Sequence, residues 1–276
     1  MKPSAVPFLL PMLLVSLGGF IVPMGVLAVY SMSAGGTPGL FGNYIAFLGD
    51  PFNLEVIVDT VLLGVKVVLL ATVFAIPIAM LFWHGGPRLR QLVLILALLP
   101  MLTSNIVRTF AWIVLLGHNG PLIAISNALG ITHNAGSFLL TEGGLVVALA
   151  QIDLPLLLLP MIAVLSRMDG RLVEAAEMAG AGPWRKMLTV ILPLTLPGII
   201  AGWILTFASA ATNFVTQAAI GGARLIYLPQ FLYRQVNVLF DWPTASVVAF
   251  VLIVSTGSVI LALAMLTRHP RLIGNA

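Results

Sequence analysis

Six long apolar stretches constrain the fold of this chain more than any other feature of its sequence. A bilayer core about 30 Å thick requires about 20 mostly apolar residues per helix, and each stretch is long enough to cross it. Gly, Pro, Asn and charged residues separate the stretches, as helix-breaking turns do. The sequence predicts an all-α, polytopic membrane protein of one domain, residues 1–276, with six transmembrane helices. They cover about 7–31, 56–83, 91–116, 143–166, 194–220 and 243–267.

Composition supports lipid as the solvent. The chain is 60% apolar and 8% charged, whereas soluble domains have about 25% charged residues. It contains no cysteine, which excludes disulfides, thiolate metal sites and cysteine nucleophiles. The histidines lack the spacing of a metal site, so we expect no metal. The basic residues form no run, so we expect membrane lipid and no nucleic acid as a partner.

The first stretch has two interpretations. Lys2 precedes it and small residues from Ser31 to Ala34 follow it, as in a cleavable signal peptide. The apolar run of about 25 residues is longer than the 7 to 15 of a signal peptide, which favours a retained helix.

The distribution of Lys and Arg predicts the orientation. With the N-terminus inside, nine of the thirteen basic residues fall on the inner side, two on the outer side and two within spans. Positive charge marks cytoplasmic segments, so we expect both termini in the cytoplasm of a bacterium, with the chain in its inner membrane. The nine inner residues are Lys2, Arg88, Arg90, Arg167, Arg171, Arg185, Lys186, Arg268 and Arg271.

The longest predicted inner loop, residues 167–193, holds a short helix outside the membrane. Asp169 is a candidate N-cap and Gly180 a candidate stop, with Pro183 starting a second helix after it. Small residues between them allow close approach by another surface, and Glu174 offers charge to a basic partner. A helix docked in a partner's groove and a helix lying on lipid headgroups both fit this pattern.

The loop carries a motif that resembles a known family. Glu174-Ala175-Ala176, Gly180, Val190 and Leu192-Pro193 match the E-A-A-x3-G-x9-I-x-L-P signature of ABC importer permeases, with Val at the Ile position. The resemblance implies a type I ABC importer permease fold in which residues 170–186 are coupling helices. It identifies Glu174, Ala175, Ala176, Gly180, Leu192 and Pro193 as ATPase-coupling residues.

The same resemblance implies partners and a solute. Segments 106–120, 196–202 and 219–222 resemble spermidine/putrescine-type permeases, most closely the first permease of each pair. It implies two ATP-binding cassette ATPase subunits, a second, different permease chain and an extracytoplasmic solute-binding protein. A polyamine is the expected solute, with aminoethylphosphonate, an opine or a similar solute as the alternative. Asp59-Thr60 departs from the Asn-Thr that many relatives have there.

The energy source separates this hypothesis from two others. The sequence has no Gly-rich phosphate loop followed by Lys-Ser/Thr, so we expect a non-catalytic subunit without a cofactor, and ATP and Mg²⁺ in the partner ATPases. A secondary transporter would favour inverted repeats and broken helices near the midplane, and no clear repeat is present. An intramembrane enzyme would need a pair such as Lys66 with Ser104, which no motif supports.

Polar residues inside the spans are candidates for the solute path, because charge in lipid is costly and usually functional. We favour Asp153 and Asn213, with Asp59, Arg108 and Trp112 as further candidates. Structural roles compete in each case. Arg108 and Lys66 could pair with a neighbouring helix, Asp153 could bond backbone freed by Pro155, and Trp112 could lie in the interfacial belt.

Overall fold

The computed structural model describes residues 6–33, 41–118, 120–128 and 137–267, and those residues form helices and turns without a strand. Six of the helical segments are long and apolar enough to cross a membrane. The all-α fold with six candidate spans predicted from the sequence is therefore confirmed. Lys2, Arg268, Arg271, His133 and His269 lie outside the described residues.

The helix bounds follow the apolar stretches closely at four of the six spans. One 3₁₀ segment covers Leu99–Leu102, and three π-helical segments lie at Met187–Ile191, Gln217–Gly221 and Gln235–Leu239. In chain order, the helices are α1 (Val6–Met32), α2 (Gly42–Gly49), α3 (Pro51–His84), α4 (Pro87–Leu98), α5 (Asn105–Leu116), α6 (Pro121–Ala128), α7 (Glu142–Leu165), α8 (Gly170–Met178), α9 (Pro183–Lys186), α10 (Leu192–Thr212), α11 (Phe214–Thr216), α12 (Leu228–Arg234) and α13 (Trp242–Thr267).

The third predicted span, 91–116, differs from the structure. The chain tightens into a 3₁₀ turn around Pro100, and Thr103 and Ser104 are extended, with ψ near 140° and 138°. Because proline lacks a backbone N–H, an apolar run that contains it need not continue as one α-helix. The predicted span therefore divides into α4 and α5, and its predicted bounds are wrong, because the third candidate span of the structure is Asn105–Ala128.

The fifth predicted span, 194–220, is also shorter than expected as a regular helix. It ends at Thr212, because Asn213 leaves helical geometry with ψ near 79°. The Asn213 side chain then accepts a hydrogen bond from the Thr216 backbone N–H at 3.2 Å and starts a new turn. This break brings a polar side chain to the end of α10.

The core of the bundle is α7 packed between α3 and α10. Gly198 and Gly202 let α10 approach α7 closely, since a Cβ on Gly202 would lie 2.8 Å from the carbonyl oxygen of Leu157. Small residues four apart are a common means of close helix packing in membranes. Gly64 of α3 makes similar room for the ring of Phe207. These three helices form the rigid frame of the site.

The first helix lies at the edge of this frame. Only 6% of its apolar window is buried inside the chain, against 67% for α7. It packs along α13, and the rings of Tyr30 and Trp242 lie 6.4 Å apart. Apolar side chains of α1 such as Met12, Val15 and Phe20 are exposed, as on a lipid-facing or subunit-facing span.

Candidate functional site

The predicted cytoplasmic loop forms two short helices, α8 and α9, at one end of the bundle, which we call the loop end. Asp169 caps α8, because its carboxylate accepts a hydrogen bond from the Arg171 backbone N–H at 3.0 Å. Pro183 is the first residue of α9. Both predictions for the helix starts are confirmed.

Gly180 ends α8 in a left-handed conformation, with φ near +79°. Its N–H donates to the Glu177 carbonyl at 2.9 Å, and the Ala181 N–H donates to the Ala176 carbonyl at 3.0 Å. This pair of bonds is the Schellman motif, which needs a residue that tolerates positive φ. Glycine adopts that conformation without steric cost, which explains the glycine of the motif.

The outer face of α8 is uncovered in this chain. Glu174 and Ala175 are exposed and Ala176 is half-buried. Two apolar side chains of the same helix are also uncovered, with Met178 90% and Leu172 49% exposed. An exposed apolar patch on a short helix beyond the spans indicates a surface that another molecule covers.

The inner face of α8 rests on the bundle. A cavity of about 340 Å³ lies between α8, α9 and the end of α3, lined among others by Trp83, Val173 and Trp184. The Lys186 ammonium donates to the Glu177 carboxylate, which ties α9 to α8. The two short helices therefore form one connected unit, residues 170–186, which we call the α8 unit.

Leu192 and Pro193, the last residues of the motif, occupy a different position. They are half-buried at the start of α10, where the π-helical segment Met187–Ile191 joins α9 to the span. Leu192 packs against the main apolar core. These two residues connect the exposed unit to the bundle and do not belong to its outer face.

The second candidate region is a polar cavity inside the bundle. Asp153 of α7 is 3% exposed, and its Oδ1 accepts a hydrogen bond from the Ser209 hydroxyl of α10 at 2.8 Å. Its other oxygen, Oδ2, is buried with no hydrogen-bond partner among the described residues. The carboxylate bonds to Ser209. The structural role that the sequence left open was a different one, a bond to backbone groups freed by Pro155.

Helix α5 forms the third wall of this cavity. Arg108 donates from Nη1 to the Ile152 carbonyl at 3.0 Å, and Asn105 donates to the Asn213 side chain at 3.4 Å. The cavity measures about 280 Å³. Met101, Asn105, Arg108, Ile152, Asp153, Leu156, Ser209 and Asn213 line it.

The structure brings three of the five predicted path residues, Asp153, Arg108 and Asn213, to this one cavity. Trp112 lies beside it, where its indole N–H donates to the Gln151 side chain at 2.9 Å. Asp59 is exposed on α3, outside the lining of this cavity. A path role for Asp59 and Trp112 stays a prediction.

Lys66 has a structural partner, as one interpretation of the sequence expected. Its ammonium donates to the Glu142 carboxylate at the start of α7. Both side chains are more than two-fifths exposed, so solvent screening keeps the contribution of this pair to stability small. This pair joins α3 to α7 and is absent from the cavity lining.

Asn105 and Ser209 are site residues that the sequence interpretation missed. A periodic signal was available, because Asn105, Arg108 and Trp112 recur at helical spacing and so do Ser209, Asn213 and Thr216. Thr109 and Thr216 continue this contact between helices, with hydroxyl oxygens 2.9 Å apart. Polar residues that recur at this spacing share one face of a helix, so the spacing could have indicated the polar faces of α5 and α10 that line the cavity.

Comparison with known families gives one broad match. The family profile described as "binding-protein-dependent transport system inner membrane component" matches residues 71–273. The spermidine/putrescine transport system permease protein PotB of Haemophilus influenzae is 30% identical over 73% of this chain and 71% of its own length. PotB of Escherichia coli K12 is 27% identical over 79% of each chain.

Solved structures share the fold. A chain of a bacterial ABC transporter involved in the import of the acidic polysaccharide alginate superposes with a TM-score of 0.75, covering 95% of this chain and 94% of its own, at 16% identity. The alginate transporter in complex with an alginate pentasaccharide-bound periplasmic protein gives a TM-score of 0.77, with 95% and 93% covered, also at 16% identity. At this identity the likeness concerns the fold, which is that of an ABC importer permease.

Proposed function

Because this chain belongs to the family of binding-protein-dependent transport system inner membrane components, we propose that it is a permease subunit of an ATP-driven importer. One observation carries the proposal. The α8 unit lies outside the spans with Met178 and Leu172 uncovered, and it presents the Glu174-Ala175-Ala176 face outward. Docking on a partner buries those apolar side chains and transmits the movement of that partner to α10.

The energy comes from partner subunits. Two ATP-binding cassette ATPases hold ATP and Mg²⁺, and this chain supplies no catalytic residue. Closure of the ATPases moves the α8 unit, and the spans respond because Leu192 and Pro193 join that unit to α10. A ligand-driven change of this kind requires contacts that differ between two states. The exposed α8 face is where those contacts change.

Two further partners complete the importer. A second permease chain covers outward-facing apolar surface of the bundle, and an extracytoplasmic binding protein delivers the solute. The structure solved for the alginate transporter with a periplasmic protein supports this kind of partner. We place both termini in the cytoplasm, since the described basic residues of the inner set lie at the loop end, on α4, α8 and α9 and just after α7.

The solute is a polyamine, on two grounds. The PotB relatives are named as spermidine/putrescine permeases, and the cavity at Asp153 presents a buried carboxylate. Aminoethylphosphonate, an opine or a similar small organic solute is the alternative. Arg108 at the same cavity favours a solute that carries an acceptor as well as a donor, which would support that alternative. Uptake by the complete importer from a panel of these solutes decides between them.

Ala175→Trp tests the docking. Ala175 is exposed in this chain, so the indole fits the isolated subunit but prevents close approach by an ATPase. We expect the variant to fold, to co-purify poorly with the ATPase and to lose solute uptake in proteoliposomes. Gln91→Trp, also an exposed position and on α4, is the matched control. Wild-type co-purification and uptake in Ala175→Trp would show that α8 is not the docking surface.

A further inference from the structure

Unpartnered polar atoms collect at the cavity on α5, α7 and α10. Six buried side-chain atoms lack a hydrogen-bond partner among the described residues, and three of them belong to the cavity lining. They are Asp153 Oδ2, Asn105 Oδ1 and Arg108 Nε. Buried polar groups in native proteins are nearly always paired, so a cluster of exceptions in one cavity points to a place where a polar ligand or water binds.

The chemistry of the free atoms selects the ligand. Asp153 Oδ2 and Asn105 Oδ1 are acceptors, and the first belongs to a carboxylate that is 3% exposed. An ammonium group carries positive charge and three donors with no acceptor, so it serves both oxygens at once. Ca²⁺ takes six to eight oxygen ligands, and two free acceptors supply few of them.

Arg108 limits how much positive charge the cavity takes. Its guanidinium is anchored on the Ile152 carbonyl and makes no ion pair with Asp153 in the described part of the chain. The carboxylate oxygen Oδ2 is therefore not neutralised by an ion pair with Arg108. The Arg108 charge on the same wall opposes any cation, and Asp153 is the one carboxylate of the described lining. The cavity therefore offers a charged partner to one ammonium group and none to a second.

The remaining surface suits the carbon chain next to an ammonium. Met101 and Leu156 provide apolar walls in the cavity of about 280 Å³. A second cavity of about 350 Å³ shares Asn105, Ser209 and Asn213 with the first. A solute of several methylenes can therefore extend from one cavity into the next.

We propose that Asp153 Oδ2 and Asn105 Oδ1 bind one primary ammonium group of the solute, with its methylenes against Met101 and Leu156. Ser209 and Arg108 are positioning residues, because Ser209 fixes the carboxylate through Oδ1 and Arg108 holds α5 against α7. This site specifies how the proposed importer binds its solute, and its biological role rests on the proposed function. Binding itself requires neither ATP nor docking.

The test measures binding of radiolabelled putrescine to the purified transporter assembly, without binding protein or nucleotide. We expect saturable binding that Asp153→Asn weakens roughly tenfold to hundredfold, as loss of a hydrogen bond to a charged group does. Asn105→Ala should weaken it roughly threefold to tenfold. Glu55→Gln removes an exposed carboxylate of α3 and is the matched control, with unchanged affinity.

A thermal unfolding assay provides the second probe. Putrescine should raise the unfolding midpoint of the unsubstituted assembly, because a ligand stabilises the state that it binds. Butane-1,4-diol, which has the same carbon chain and no ammonium, should not. An equal shift with the diol, no saturable putrescine binding, or wild-type affinity in Asp153→Asn would each overturn the ammonium site.

Substitutions of Ser209 test the site without removing the charge of the Asp153 carboxylate. Ser209→Ala should weaken putrescine binding several-fold, and Ser209→Thr, which keeps the hydroxyl, should restore it. Wild-type affinity in Ser209→Ala would contradict the positioning role. The Ala175→Trp permease, measured without docked ATPase, should bind putrescine normally while losing uptake, so failure of docking and failure of the ammonium site give different results.

Discussion

The α8 unit and the polar cavity differ in how the chain builds them. The bonds that shape α8 join residues a few positions apart, such as Asp169 to Arg171 and Ala176 to Ala181. The cavity depends on pairs far apart in sequence, with Asp153 and Ser209 separated by 56 positions and Asn105 and Asn213 by 108. The α8 unit, which is proposed to bind a partner protein, is exposed and is shaped by contacts between residues close in sequence. The polar cavity, which is proposed to bind the solute, is buried and is shaped by contacts between residues distant in sequence.

This difference predicts two kinds of mutational effect. A change in the packed frame around the cavity alters folding, because the frame exists only when α3, α7 and α10 meet. A change in the α8 unit alters coupling and leaves the frame intact, because no residue of α8 is buried. Substitutions at glycines of the two regions separate the effects.

Gly202→Leu should produce the largest effect. Even a Cβ at this position would lie 2.6 Å from a Leu157 side-chain atom and 2.9 Å from its Cα, so the backbones of α7 and α10 must separate. Overpacking of this kind costs about 3 kcal/mol in the free energy of unfolding. The measurement is the fraction of protein that stays monodisperse after extraction in detergent, and most of it should be lost.

Gly257→Leu is the control for that prediction. Gly257 lies in α13, and a Cβ there meets no atom within 4 Å in this chain. Its monodisperse fraction should match the unsubstituted protein. Equal yields of Gly202→Leu and Gly257→Leu would contradict the close packing of α10 on α7, and with it the frame that positions Ser209 opposite Asp153.

Gly180→Ala should have an intermediate effect. We expect it to change the coupling of ATP hydrolysis to solute uptake and not the folding of the bundle. A Cβ meets no atom within 4 Å there, so the cost is conformational. The left-handed region costs an alanine about 1 kcal/mol. We expect the thermal unfolding midpoint of the bundle to stay within about 2 °C, with fewer solute molecules imported per ATP hydrolysed. Gly143→Ala, at a glycine with open space and without positive φ, should retain the wild-type ratio.

The same contrast explains what the sequence could predict. The cap at Asp169, the stop at Gly180 and the start at Pro183 are local rules, and the structure has all three. The division of span 91–116 was missed because the span was assigned from its overall apolar content, although Pro100 and the polar residues Thr103 to Asn105 mark a break. The pairing of Ser209 with Asp153 was missed because it depends on how α10 meets α7. Helix spacing alone predicts a polar face but not its partner.

Glu177→Gln should have the smallest effect and sharpens the contrast most. Glu177 is 55% exposed and its partner Lys186 17% exposed at the side chain, so the pair contributes less than about 1 kcal/mol to stability. In the proposed importer, this ion pair holds α9 to α8 when a partner moves them. We therefore expect unchanged unfolding of the bundle and a modest loss of uptake per ATP hydrolysed. In about 1 M NaCl the Debye length is about 3 Å, so the ion pair of the unsubstituted protein is screened as well. The variant and the unsubstituted protein should then import equal amounts of solute per ATP hydrolysed.

In a double-mutant cycle, Lys186→Met combined with Glu177→Gln should lose no more coupling than either change alone. Additive losses would mean that the two side chains act separately, and that α8 and α9 do not move as one unit.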